Sequence, residues 1–351
     1  MENIKSANKR LLELDALRGF AAMFVVLFHF TKRFSPSELG FRNFGLQYGA
    51  TGVELFFMIS GFVIFMSIVK LNNGKEFIIN RIARLYPAYW ASAVLIFTLI
   101  VFTQKVFFHH WIEPNIVGRF FVNLSMLQYV FHVKDLDGPY WTLIIEIMFY
   151  VFIWILFISK LIRHIEKISL GILSFILATY IINYYFSISL SGLFSAIPLL
   201  HFFPLFYAGI IFYKMFAEKE TIYRYFILIL CFYAQAMQFP DRGFPAISWM
   251  EYNIILFVYF IIFMLFVKNK LDFIVNKVTV YLGSISYALY LVNDFISESV
   301  LLPAFIRRVH MPFIFAAIIT MCIVLFIAHV ITKKIDIPYR YKIRDFLRKH
   351  T

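Results

Sequence analysis

Cysteine and charge are both scarce in this chain of 351 residues. The 2 cysteines, Cys231 and Cys322, lie inside apolar runs, which argues against a disulfide framework or a cysteine metal site. Charged residues make up only 15% of the chain against 62% hydrophobic ones, and the mean hydropathy is +0.79. No soluble globular domain has that balance. No glycine-rich phosphate loop is present, so a soluble nucleotide-binding fold is not expected. Internal repeats and Gly/Ser linkers are absent too. The alternating pattern of an outer-membrane barrel is missing, because the apolar runs are continuous and helix-length.

What is present is a series of apolar segments of roughly 20 residues, each long enough to cross a bilayer as a helix. Ten are expected, at 15–34, 50–69, 88–108, 140–159, 168–187, 192–213, 222–239, 249–267, 279–302 and 311–332. A moderately apolar stretch at 112–133 is broken by Glu113, Pro114, Arg119 and Asn123 and reads as interfacial. The net charge of +13 is spread between the apolar segments and gathers in no single patch, so it points to membrane orientation and not to nucleic acid. With the N-terminus inside, the cytoplasmic segments hold more than twice as many Lys and Arg residues as the outer ones. Both termini are therefore expected in the cytoplasm. The first apolar run carries internal charges and no small-residue cleavage site, so no cleavable signal is expected. The predicted fold class is an all-α, polytopic membrane helical bundle spanning residues 1–335, with a basic cytoplasmic tail at 336–351 gripping anionic lipid headgroups.

The first span, LDALRGFAAMFVVLFHF, organises the chemistry. Asp15, Arg18, Ala22 and His29 follow one another at helical spacing and share a face. Arg18 and His29 are separated by roughly 16 Å of helix rise with little net rotation. Ionisable groups at membrane depth are rare and mark paths or sites. His29, Glu54, Glu146 and Asp294 all come to a similar depth in the outer half of their spans, although they are far apart in sequence. Their convergence predicts a cavity. Thr142, Glu146 and Tyr150 share one helix face, as do Ser286, Tyr290 and Asn293, with Asp294 alongside. A carboxylate within reach of His29 would orient its imidazole, the base-plus-orienter arrangement of acyl transfer, and Glu146 is the expected partner.

Plainer roles compete at each position. Arg18 and Asp15 suit a helix anchor, and Thr142, Ser286 and Ser297 suit glue between helices. Ser60 does not share a face with Glu54, and bonding back to the Phe56 carbonyl explains it as well as a place in the site does. Gly61 would allow close helix or ligand approach. Arg81 and Arg84 lie three residues apart just before Pro87, which is expected to open the third span. Two guanidiniums on one face suit phosphate, while positive-inside anchoring explains them equally if the loop is taken alone. His109, His110 and Glu113 lack metal-ligand spacing, and no metal site is expected.

In order along the chain, LDALRGFAAMFVVLFH, GVELFFMISGF, RIARLYPAYW, YWTLIIEIMFY and ISYALYLVN resemble the blocks of membrane acyltransferases of the acyltransferase-3 group. The resemblance spans nearly the whole chain. It implies O-acylation, most often O-acetylation, of an extracytoplasmic carbohydrate or lipid-linked glycan by an integral protein of the bacterial inner membrane. The donor would be cytoplasmic acyl-CoA, with no permanently bound cofactor. It implies His29 as the catalytic histidine, Arg18 as its partner in donor handling, Arg81 and Arg84 as the basic donor loop, and Glu146 as the acidic residue of a block that starts at Trp141. From the helix faces read above, Asp15, Glu54, Ser60, Trp141, Tyr150, Tyr290, Asn293 and Asp294 are expected to line the cavity. Many relatives carry histidine where this chain has Asn293, so that role is expected to be lost or shared with Asp294. The extra hydrolase-like domain of some relatives is not expected here. Direct transfer and an acyl-enzyme both remain open, and a proton-coupled transporter or an inactive binding relative are the readings from other classes.

Overall fold

The structure is a computed structural model that describes residues 11–32, 34, 46–107, 115–188, 190–243 and 246–350. All regular structure among the described residues is helical. In chain order the helices are α1 (Leu12–Thr31), α2 (Gly52–Ile68), α3 (Gly74–Phe107), α4 (Ile116–Asn123), α5 (Trp141–Ile158), α6 (Ile165–Phe186) and α7 (Ser191–Ala196). They continue with α8 (Phe203–Ala217), α9 (Ile222–Met237), α10 (Trp249–Val267), α11 (Lys277–Asp294), α12 (Phe313–Val330) and α13 (Ile337–His350). Eight helical stretches are long and apolar enough to cross a membrane, and α8 and α9 are shorter apolar helices of 15 and 16 residues. These ten match the expected spans, and the chain is a polytopic helical bundle.

Three boundaries differ from expectation. Pro87 does not open a helix: α3 runs unbroken from Gly74 through Pro87 to Phe107. One missing N–H is tolerated where the turns on either side are packed, and Leu85, Ala88 and Tyr89 are all buried. The sixth span begins later than 192, because Pro198 and Pro204 divide the segment into α7, a short 3₁₀ turn and α8. The ninth changes character at Asp294, where α11 gives way to π-helix over Phe295–Leu301. The interfacial stretch contains only the eight-residue α4 followed by turns, too short to span; His109, His110 and Glu113 lie outside the described residues.

The chain divides into two compact units. The first comprises the chain up to Ala21, Thr51–Phe77 and Ile145–Val280. At its centre lies α8, apolar all round and buried from Phe203 to Phe212, as a helix without a polar face must be. It meets α2 through two glycines. A Cβ on Gly61 would fall 2.1 Å from the Phe206 carbonyl oxygen, and one on Gly209 would fall 2.2 Å from that of Met58. The backbones thus touch, as Gly61 suggested. Phe206 then stacks on Phe149 at 4.2 Å between centroids. One set of helix ends is tied by ions. The Arg224 guanidinium donates to Glu166 at 2.8 Å and to the carbonyls of Lys214 and Lys219 at 2.9 and 2.6 Å, while Lys214 Nζ reaches Glu166 at 2.8 Å. The start of α6, the end of α8 and the start of α9 are joined there.

The second unit comprises Ala22–Ala50, Ile78–Ile144 and Tyr281–Thr351. In it, α3 fastens the segment that follows α4. The hydroxyls of Tyr86 and Tyr89 and the indole N–H of Trp90 donate to the carbonyls of Ser125, Asn123 and Leu124 at 3.0, 2.6 and 3.0 Å. Asn123 accepts from the Leu136 N–H at 3.0 Å and donates to the Lys134 carbonyl at 3.0 Å, and the Arg119 guanidinium holds the carbonyls of Lys134 and Asp135. Residues 134–136 are thereby fixed, and Asp137 with them.

The α2–α8 contact yields a direct test. Gly61→Ala and Gly209→Ala should each destabilise the protein by about 1–3 kcal/mol through overpacking, seen as lower thermal midpoints in detergent. Gly171→Ala, on α6 with no atom within 4 Å of the new Cβ, should leave the midpoint unchanged or raise it slightly.

Candidate active site

His29 lies near the end of α1 and is 9% exposed. Its Nδ1 sits 3.0 Å from Asp294 Oδ1 and 3.6 Å from Glu298 Oε2, and both carboxylates are buried. All three residues belong to the second unit. An unpaired charge at this depth would be expensive, and an imidazole against a carboxylate relieves both partners. With Nδ1 turned to Asp294, Nε2 is the ring's other nitrogen.

Backbone geometry brings the two carboxylates to the same nitrogen. Asp294 is the last residue of α11 and Glu298 lies within the π-helical segment. The wider π turn changes the register of side chains relative to an α-helix, and such turns gather at functional sites. Here the departure has an identifiable cause. The Phe295 N–H donates to Asp137 Oδ1 at 3.1 Å, so a side chain enters the helix's own ladder. The same oxygen accepts the Gly138 N–H at 2.8 Å and caps the short turn Gly138–Tyr140. Burial lifts the Asp137 carboxyl well above the usual carboxylate range and neighbouring Asp294 adds to the rise, while the two N–H groups and His29 oppose it. Gly138 in turn packs on Asp294, for a Cβ there would fall 1.9 Å from Oδ2. Beside this turn, Thr142 donates to the Pro139 carbonyl at 2.9 Å and lies 3.0 Å from the Tyr290 hydroxyl.

Other expected site residues separate into distinct groups. Glu146 is the expected orienter of His29; the carboxylate found 3.0 Å from His29 Nδ1 is that of Asp294. The Glu146 Oε1 accepts from the Tyr150 hydroxyl at 2.6 Å and from Ser60 Oγ at 3.3 Å, all within the first unit. Ser60 accordingly donates to a carboxylate instead of bonding back to Phe56. Glu54 is fully buried at the start of α2, and the Thr51 hydroxyl just before it lies 2.8 Å from that of Tyr259. Asp15 and Arg18 are half-buried on the first turns of α1, which is unbroken from there to His29. Arg81 is half-buried on α3. Arg84, farther along the same helix, stacks over Tyr287 at 5.1 Å, and its Nη1 sits 3.3 Å from Asp336 Oδ2, which also pairs with Arg340. Trp141 is partly exposed at the start of α5. Asn293 is buried, and its amide donates to the Tyr290 and Leu289 carbonyls of its own helix at 2.8 and 3.2 Å, while the contact to His29 comes from the next residue.

Three residues of the site were not foreseen: Glu298, Asp137 and Gly138. The four-residue step from Asp294 to Glu298 was visible, as was the Asp-Gly-Pro turn before Trp141. Neither reveals that one folds against the other. His29, Asp294 and Glu298 also present one imidazole nitrogen and two carboxylate oxygens within 4.8 Å of one another, a donor set that suits a divalent cation as well as a shared proton.

The fold and this site define a helical membrane protein with a histidine held against two buried carboxylates. Comparison with known proteins gives the family. Residues 11–332 match the acyltransferase-3 model, described as an acyltransferase domain, and the chain belongs to that family. It is 26% identical to "Putative acetyltransferase ORF330" of Acidianus two-tailed virus over 78% of this chain and 79% of the relative. It is 28% identical to nodulation protein 10 of Rhizobium leguminosarum bv. viciae over 39% of this chain and 41% of that one. Against the O-acetyl transferase of Shigella phage Sf6 it is 26% identical over 39% of this chain and 43% of the relative. The chain thus spans most of the relative from Acidianus two-tailed virus and less than half of the other two. No solved structure matches it.

Gly138→Ala should push Asp294 away from His29. Acyl transfer should fall on the order of 100-fold, the usual effect of misplacing a reacting group by an ångström. The variant should elute as a folded protein on size exclusion, and an unchanged rate would dissociate Gly138 from the site.

Proposed function

We propose that the protein transfers an acyl group, acetyl in the simplest case, from cytoplasmic acyl-CoA to a hydroxyl of an extracytoplasmic carbohydrate or lipid-linked glycan. The observation that carries this reading is the 3.0 Å contact between His29 Nδ1 and Asp294. It leaves Nε2 to take the hydroxyl proton as the sugar oxygen attacks the thioester carbonyl. The tetrahedral intermediate collapses with loss of the C–S bond, and the imidazolium returns its proton to the departing thiolate. Asp294 holds the ring and stabilises the imidazolium while it exists. Glu298, 3.6 Å from the same nitrogen, adds a second carboxylate to that side.

On the donor side, Arg81 and Arg84 are the proposed contacts for the coenzyme's phosphates. Guanidiniums are the side chains of choice for such groups. Arg84 now faces the Asp336 carboxylate, which the phosphate would displace. The working location is the cytoplasmic membrane, with both chain termini inside.

The test is incubation of purified protein with radiolabelled acetyl-CoA and candidate glycans. Wild-type protein should yield acylated glycan, whereas a transporter would make none. His29→Ala should abolish the product. Asp294→Asn should lower kcat roughly 10²–10⁴-fold, the range lost when a general base or its orienting carboxylate is disabled. Arg84→Ala should raise the KM for acetyl-CoA about tenfold with little change in kcat. Full activity of His29→Ala would sink the mechanism.

A further inference from the structure

The first unit contains a cavity of about 270 Å³ lined by none of the residues given a role above. It lies where α6 ends, and is closed by α7, the 3₁₀ turn before α8, and Asp241 from the turn after α9. These segments are the loops expected outside by the charge bias, and their meeting in one pocket shows that they share one end of the unit. Tyr184, Tyr185 and Phe186 stand next to it, 81%, 73% and 70% exposed. Exposed aromatic residues at the end of a membrane helix mark the level of the lipid headgroups.

The lining selects a ligand class. Tyr180 and Phe194 form an edge-to-face pair with centroids 6.0 Å apart, and the His201 ring lies 5.0 Å from Phe194. Phe194 is 5% exposed and makes an aromatic floor. Around it stand Asn183, Ser191, Ser195 and Asp241, and the Tyr180 hydroxyl donates to Asp241 Oδ2 at 2.7 Å. The charged group in the described lining is the Asp241 carboxylate, which repels an anionic headgroup. A purely apolar tail would strand the amide, hydroxyl and carboxylate groups. A neutral sugar ring satisfies both parts: its C–H face lies on the aromatic floor, and its hydroxyls donate to the carboxylate and exchange hydrogen bonds with the amide and serine side chains.

We propose that this pocket binds one neutral sugar residue of a glycan at the membrane surface, separately from the chemistry at His29. It goes beyond the acyl-transfer reading, and rests on it only in that the glycan held would be the acceptor.

The experiment is saturation-transfer NMR and titration calorimetry on the full-length protein in detergent. The probes are the methyl glycosides of glucose, galactose, rhamnose and N-acetylglucosamine. At least one should bind, and Asp241→Ala and Tyr180→Phe should each weaken it at least tenfold, with thermal midpoints confirming that both variants fold. His29→Ala should bind as wild type. Were none of the glycosides to bind, or were Asp241→Ala and Tyr180→Phe to bind as wild type, the proposal would be overturned. Loss of binding in His29→Ala alone would likewise assign the sugar to the other site. Because binding is read without acetyl-CoA, a protein that binds sugar and transfers no acetyl group would refute the proposed function and leave this pocket standing.

Discussion

A charge placed at membrane depth must find a partner inside the protein, and the arrangement around His29 follows from that constraint. The imidazole is buried, and so are Asp294 and Glu298. Once the ring and the carboxylates are taken from water, their mutual attraction in a low-dielectric setting is large, and breaking one partner leaves the other uncompensated. Several contacts of the second unit bear on this pair. The π turn carries the two acids, Asp137 bonds a backbone N–H of that turn, and the aromatic side chains of α3 hold the segment that carries Asp137.

The first unit solves a different problem with similar means. Helices that are apolar on every side have no polar pattern to set their register, so shape has to do it. The reciprocal fit of Gly61 and Gly209 against opposing carbonyls sets the α2–α8 contact, and the Arg224–Glu166–Lys214 group ties neighbouring helix ends. Within this frame Glu146 has two hydroxyl donors of its own.

Much of this was legible in the sequence because the bilayer limits what a chain can do. Continuous apolar runs locate the ten helices, and the depth of His29 and Asp294 marks both as groups that need a partner inside the protein, which they find in each other. Gly61 announced a close approach. The partner of His29 was harder to read. Glu146 and Asp294 have similar depth, and depth says nothing of which faces meet. The α-to-π change that admits Glu298 depends on a carboxylate from a segment more than 150 residues earlier, so no local periodicity could disclose it. Pro87 misled for a related reason: its local rule is to end or open a helix, and the packing of α3 overrode it.

The segment between α4 and α5 has a consequence of its own. Surface loops ordinarily accept inserted residues, for their backbone answers to nothing else. Residues 127 and 129–132 are exposed and look like such a loop, yet a few positions on the chain reaches Asp137, whose oxygen is bonded to Phe295. Lengthening this stretch, or nicking it with a protease, would slacken a tether that ends at the imidazole. In this protein the exposed strap is the less forgiving part, and a graft or epitope placed there would be felt at His29.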